Sequence, residues 1–296
     1  MKITPLGSHD GEFCALDRAM IFEDPDGTRI LYDAGRTVRG PDDPRLGRID
    51  GVLLSHVHTD HLGDEHSSAA NAGDCAHPKF DVKDAPVSNT EKIVVAKKAK
   101  FFVGGEMNKW FDRRIPAEGG NKNQVVALRF GGMRKLGGVS IWSVPAAHAN
   151  GVDPMFLSGD LAKELQANGL TAYVGPPNGY VLRFSNGLTV YLSGDTGVIA
   201  DQELVVRREF HPQLAVFNIG DFLTTGPTEA AYVINELVKP KAVIPSHANE
   251  GETKGGKLLP NTKTAAFEAA TKVPVYLPLS GRTMEFDGSG TCRSGC

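Results

Sequence analysis

The chain alternates short apolar runs with polar, turn-forming clusters. Residues 19–23 and 29–33 are two such runs, and Asp24-Pro25-Asp26-Gly27 between them is a strong hairpin signal. A polar, proline-rich loop follows at 40–47, then an apolar run at 49–54 short enough for a buried strand. Residues 62–90 carry scattered Gly, Pro, Asn and Asp, which predicts a short helix and then an irregular excursion. Residues 93–105 predict a helical turn and a strand at Phe101-Phe102-Val103, and 124–130 with 138–144 predict a strand pair around a Gly-rich turn. The stretch 152–177 has the character of an insertion with one short helix at 160–168.

The second half is more regular. Runs at 179–184 and 188–192 flank Ser185-Asn186-Gly187, and Asn-Gly is a favoured two-residue hairpin turn. A buried strand is expected at 214–219. Gly226-Pro227-Thr228-Glu229 opens a helix with Pro at its first position. Ala230, Val233, Ile234, Leu237 and Val238 form its apolar stripe, and Lys239-Pro240 stops it. A strand at 242–245, a helix near 262–271 and a closing strand pair near 275–286 complete the chain.

At 296 residues the chain is long enough for one large core or two small ones. No linker separates domains. The expectation is one α/β domain over 1–296, with loop insertions near 62–90, 106–123 and 149–177 where substrate determinants should lie. The formal charge of -3 gives no argument for a nucleic-acid partner. Lys97-Lys98-Ala99-Lys100 and Arg113-Arg114 fit a solvated surface. No apolar run approaches the length of a transmembrane helix, so a membrane partner is not expected. The expected partner is a small-molecule substrate, and oligomeric state has no signature.

The chemistry concentrates in Ser55-His56-Val57-His58-Thr59-Asp60-His61. His56 and His58 alternate and point the same way on an extended backbone. Asp60 and His61 follow the turn and can face a second point. Imidazole with carboxylate suits zinc or a similar first-row ion. Three later strand ends deliver further ligand types: His148 after Pro145-Ala146-Ala147, Asp195 in Ser193-Gly194-Asp195-Thr196-Gly197, and His247 after Ser246. Each is weak alone, and Asp195 by itself would only cap a turn. His9, His66 and His77 have no partner at metal spacing and are expected as loop or surface residues.

These motifs resemble the metallo-β-lactamase superfamily, from Asp33-Ala34-Gly35 through the His-x-His-x-Asp-His signature to His247. The Leu-Ser-Gly-Asp-Thr-Gly and Ile-Gly-Asp…Gly-Pro-Thr-Glu-Ala-Ala…Val-Ile-Pro-Ser-His runs look like the branch of L-ascorbate-6-phosphate lactonase-like proteins and uncharacterised metal-dependent hydrolases. The resemblance implies a four-layer αββα sandwich and two zinc ions, with manganese or iron as alternatives. It implies His56, His58 and His148 on the first ion, Asp60, His61 and His247 on the second, and Asp195 bridging. It further implies hydrolysis of a lactone, ester or lactam bond by a metal-bridging hydroxide, with Asp60 either a ligand or also a proton carrier. A phosphodiesterase is one alternative. A mononuclear-iron persulfide dioxygenase, which shares the signature, is another. Relatives of this branch open with a Gly-His pair, whereas Gly7-Ser8-His9-Asp10-Gly11 is shifted and longer.

The four cysteines form an even set. Cys292 and Cys296 are close in sequence around a glycine, and Cys14 and Cys75 flank the motif strand in irregular segments. Two disulfides, Cys14–Cys75 and Cys292–Cys296, are therefore expected, and with them a periplasmic or secreted protein whose leader is absent from this chain. The alternative is a cytoplasmic enzyme with four reduced thiols.

Overall fold

The computed structural model describes residues 1–296. The strands of its two large sheets are, in chain order, β1 (Lys2–Pro5), β2 (Met20–Glu23), β3 (Arg29–Tyr32), β4 (Gly51–Leu53), β5 (Lys100–Val103), β6 (Val125–Ala127) and β7 (Met133–Leu136). They continue as β8 (Val139–Pro145), β9 (Asn178–Arg183), β10 (Thr189–Leu192), β11 (Leu214–Asn218), β12 (Ala242–Ser246), β13 (Met284–Phe286) and β14 (Cys292–Ser294). One sheet has the order β14-β13-β1-β2-β3-β4-β5-β6 and the other β12-β11-β10-β9-β8-β7.

Period-two alternation explains the layering. On β2 and β3, Phe22 and Tyr32 turn inward to meet Tyr180, Leu182, Leu192 and Ile244 of the facing sheet. Their neighbours Ile21 and Leu31 turn outward with Val52 and Phe101, and pack against Ile93, Val94, Phe111 and Ile115. Those four belong to the helices Asn89–Lys97 and Gly105–Ala117. Beyond the second sheet, Val181, Tyr191, Phe217 and Val243 pack against Val206, Phe210, Val233, Ile234 and Phe267 from three further helical segments. The result is the expected αββα sandwich. Each fully buried Leu, Ile, Val or Phe contributes roughly 1.5–3 kcal/mol relative to an exposed one.

Strand sense positions the site. β3, β4, β5 and β6 run parallel to one another, as do β10, β11 and β12. β8 shares the sense of β10 because both are antiparallel to β9. The loops that carry Asp33, His56 to His61, His148, Asp195 and His247 therefore leave the carboxyl ends of their strands.

Several sequence expectations need correction. Residues 124–130 and 138–144 do not form one hairpin: β6 joins the first sheet beside β5, and β8 pairs with β7 and β9 in the second. The segment between them crosses from sheet to sheet, and β7 has no buried residue to announce it. The stretch 106–123, expected as a loop insertion, is largely the helix Gly105–Ala117, which buries Met107, Phe111 and Ile115 at four-residue spacing. The helical segment Gln202–Phe210 was not foreseen. The closing pair is β13 with β14, while Val275 makes only an isolated bridge to Val243. The excursion 62–90 is irregular as expected, apart from the helical turn Thr59–Leu62 that leads into it, a small ladder of Glu65–His66 with Val82–Lys83 and the start of the helix Asn89–Lys97. The flap 149–177 carries the helix Gly159–Ala167, none of whose residues is buried.

Candidate metal centre

β4 ends at Leu53, and Ser55 to His61 turn over its carboxyl end. The turn is tight against the β3 loop: Gly35 N donates to the His61 carbonyl at 3.0 Å. A side chain at Gly35 would bring its Cβ to 2.5 Å from the Asp60 carbonyl oxygen, and φ there is +55°. Only glycine meets both demands. Val57 N donates to Asn150 Oδ1 at 2.9 Å, which pins the middle of the motif to the base of the flap.

The seven expected residues come together. Ligand atoms of His56, His58 and His148 form one group, those of Asp60, His61 and His247 another, and His56, His61 and Asp195 a third that joins them. Asp195 stands between the two sides. Its Oδ2 lies 3.9 Å from His56 Nε2, 3.7 Å from His148 Nε2 and 3.0 Å from His247 Nε2, and its Oδ1 lies 3.3 Å from His61 Nε2. On the first side, His58 Nδ1 and His148 Nε2 are 3.1 Å apart.

Hydrogen bonds behind the imidazoles fix which nitrogen faces inward. Asp33 Oδ2 accepts from Ser55 Oγ at 2.7 Å and from His61 Nδ1 at 2.8 Å. Ser55 Oγ in turn accepts from His56 Nδ1 at 2.9 Å. The network thus places a proton on Nδ1 of both rings and turns each Nε2 toward Asp195. The Nε2 atoms of His56 and His61 and both ring nitrogens of His247 are buried without a hydrogen-bond partner. Orphaned buried nitrogens aimed at shared carboxylates are what a divalent cation would satisfy, and a donor set of imidazole and carboxylate fits such an ion.

The electrostatics split the ligands. Burial, reinforced by His61, lowers His56 well below the ordinary histidine range. Burial and the neighbouring His148 lower His58 to about 4, and burial lowers His148. These rings stay neutral and keep their lone pairs. Burial opposes charge on His61, but Asp195, Asp33 and Asp60 together push it up to about 10. Burial also opposes ionisation of Asp195 and Asp60. His247 and His61 hold Asp195 well below the carboxylate range, and Arg18 and His61 do the same for Asp60.

Sequence reasoning missed the supporting layer. Asp33 belongs to a noted motif, yet nothing local revealed that it orients His61 and, through Ser55, His56. Arg18, ion-paired to Asp60, was not singled out at all. His66 is not a surface residue: it is buried, and its Nδ1 lies 2.6 Å from Asp84 Oδ2. His77 is exposed as expected, and His9 sits in the N-terminal loop near the Gly73 carbonyl.

Two β-sheets sandwiched between helices, with a histidine and aspartate cluster at the carboxyl ends of their strands, define a metal-dependent hydrolase of the metallo-β-lactamase fold. The sequence profile described as "Beta-lactamase superfamily domain" matches residues 28–248, and the chain belongs to that superfamily. It is 33% identical over 239 residues to a UPF0173 metal-dependent hydrolase of Pelotomaculum thermopropionicum, covering 80% of this chain and 83% of the relative. It is 30% identical over 226 residues to another from Koribacter versatilis, covering 75% and 77%. Among solved structures, Igni18, a metallo hydrolase from Ignicoccus hospitalis, superposes with a TM-score of 0.59 at 21% identity, covering 97% of this chain and 100% of that one.

Proposed function

We propose that the chain is a dinuclear zinc hydrolase that cleaves a lactone, ester or lactam bond in a small molecule. The observation that carries this is Asp195, whose carboxylate stands between two groups of ligand atoms: Oδ2 lies within 3.9 Å of His56 and His148 on one side and 3.0 Å from His247 on the other, and Oδ1 lies 3.3 Å from His61. His56, His58 and His148 would hold one ion, Asp60, His61 and His247 the other, and Asp195 would touch both. Two divalent ions there supply a water whose pKa falls from 15.7 towards about 7 and a Lewis acid for the carbonyl oxygen. The chain's own residues set the stage. Asp33 and Ser55 orient the imidazoles, and Gly35 lets the motif turn close down. Of the two roles open to Asp60, ligand and proton carrier, its pairing with Arg18 favours the ligand, because a carboxylate held so strongly ionised is a poor proton acceptor.

The flap 149–177 starts at His148 and is fastened at its base, where Asn150 Nδ2 donates to the Gly175 carbonyl at 2.8 Å. This placement supports a part for the flap in substrate selection. The protein is further proposed to work in an oxidising compartment, periplasmic or extracellular, with Cys14–Cys75 and Cys292–Cys296 as disulfides. Their Cα atoms are 4.7 Å and 6.4 Å apart, both within bridging range.

The test is a hydrolysis panel of lactones, esters, β-lactams and phosphodiesters with zinc-loaded protein, together with metal analysis of protein purified without added metal. About two zinc ions per chain and turnover of a carbonyl substrate are expected. One iron per chain with oxygen consumption on a persulfide would replace the proposal with the dioxygenase. Turnover confined to phosphodiesters would replace the substrate class.

A further inference from the structure

Arg18 lies in the turn just before β2 and its side chain is 2% exposed. Its Nη1 bonds Asp60 Oδ2, its Nε donates to the Leu16 carbonyl at 3.3 Å, and its Nη2 is buried with no partner. With Asp33, His61, Asp195 and His247 it lines one small cavity. It makes no ion pair with any group other than Asp60.

Which oxygen Arg18 takes is decisive. Asp60 Oδ2 is also the oxygen that lies 3.9 Å from His61 Nε2 and 3.5 Å from His247 Nε2. A guanidinium and a cation held by Asp60, His61 and His247 would therefore draw on the same carboxylate oxygen. Asp60 is itself only partly buried, its side chain 23% exposed, but the Arg18 guanidinium is buried and needs a counter-charge, so the pair has a role whenever the second ion is away.

We propose that Arg18 is a built-in counter-ion for Asp60 that competes with the second metal ion, so that the two sites fill unequally. The inference rests on the two-ion reading of the centre. The first group, His56, His58 and His148, is made of imidazoles and has no such cation bonded to it. It fills first. The second group fills only as Arg18 yields Asp60 Oδ2 or shares it. The alternative role for Arg18 is positioning alone, in which it holds Asp60 in the geometry the metal needs. The two roles predict opposite signs. Removing a competing charge tightens the second site and destabilises the metal-free protein. Removing a positioning group loosens the second site.

The experiment is a zinc titration of metal-stripped protein against a chromophoric chelator, with thermal unfolding measured in the absence and presence of zinc. Arg18→Gln keeps a hydrogen-bond donor for Asp60 and removes the charge, and Arg18→Lys keeps the charge. In Arg18→Gln the second zinc is expected to bind about tenfold to a hundredfold tighter, the range over which partners behind a metal ligand act. The first zinc is expected to be unchanged and the metal-free melting temperature to fall. Arg18→Lys is expected to stay close to wild type. A second constant that weakens or does not move in Arg18→Gln overturns the proposal while leaving the two-ion reading intact. A wild-type protein that saturates at one zinc removes that reading and the proposal with it. Should metal-free Arg18→Gln not fold, chelator-driven loss of zinc from the loaded variant decides. Slower release of the second ion than in wild type supports competition, and faster or equal release overturns it.

Discussion

Asp33 Oδ2 accepts a hydrogen bond from His61 Nδ1 at 2.8 Å, and this one bond decides which face of the imidazole looks at Asp195. The same carboxylate takes Ser55 Oγ and Ser55 N, at 2.7 Å and 2.8 Å. Asp33→Ala removes all three. Metal affinity should fall about 10–100-fold, as is usual when a ligand's outer partner is lost. Chelator competition checks this. Unchanged affinity in a folded variant would show that His61 is oriented by other means.

Asp195→Ala tests the joint between the two groups. The side chain is buried and faces His56, His61, His148 and His247, so its loss should lower metal content and reduce turnover by on the order of a hundredfold or more. The fold should persist, since every ion pair of its side chain is to a histidine of the ligand cluster. Metal analysis and circular dichroism on the same sample are the readouts. Wild-type turnover with full metal loading would remove Asp195 from the site.

The helix Gly159–Ala167 buries none of its residues, and Leu161 is 60% exposed. Deleting 160–168 should therefore change melting temperature by only a few degrees and leave metal content intact, because exposed residues contribute about 0.5 kcal/mol or less each. Substrate preference across the hydrolysis panel should shift, since the flap springs from His148, which clusters with His56 and His58. Loss of bound metal in the deletion would show that the segment supports the centre instead of covering it.

What the sequence revealed and what it hid divide along physical lines. His56 to His61 were legible because their spacing is local, and His148, Asp195 and His247 because strand ends project side chains toward a common edge. Arg18, Ser55 and the role of Asp33 were hidden: their contacts are tertiary, and an arginine just before a strand resembles any solvated turn residue. The helix Gly105–Ala117 was masked by charged residues between Met107, Phe111 and Ile115, although those three share one face. β7 left no apolar signal because its strand is exposed.

A pH prediction follows from Asp43, which is remote from the ligands in sequence and pairs with Arg45. Arg45 Nη2 donates to its Oδ2 at 2.6 Å, and the Arg39 and Arg45 backbone amides add bonds of 2.9 Å and 3.0 Å. Burial opposes ionisation, but Arg45 and these amides hold the carboxyl at about 2, against an ordinary value of 3.8. A depressed acid contributes stability above its unfolded pKa and loses it as pH falls through the folded one. The shift corresponds to roughly 2–3 kcal/mol. Asp43→Asn should cost that much near neutral pH in urea unfolding of metal-free protein. The gap to wild type should narrow between about pH 4 and pH 2. A gap that stays constant over that window would mean the pair acts through packing and not through charge.

The last prediction concerns Cys14 and Cys75. Cys14 is fully buried, and Ala15 N donates to the Cys75 carbonyl at 2.9 Å, so the N-terminal loop and the long excursion already run side by side. The two cysteines are separated by 61 residues. A covalent link across a loop of that length restricts the unfolded chain enough to contribute roughly 4 kcal/mol. The effect should be local as well as global, because Cys14 is four residues before Arg18, and Arg18 holds Asp60. Cys14→Ser with Cys75→Ser should therefore lower the melting temperature and loosen the turn that presents Arg18. Cys292–Cys296 spans only four residues at the terminus, and its removal should move stability far less. Thiol titration of denatured, unreduced protein made in its native compartment should find no free thiol, and four free thiols would sink both the disulfides and the oxidising compartment proposed with them.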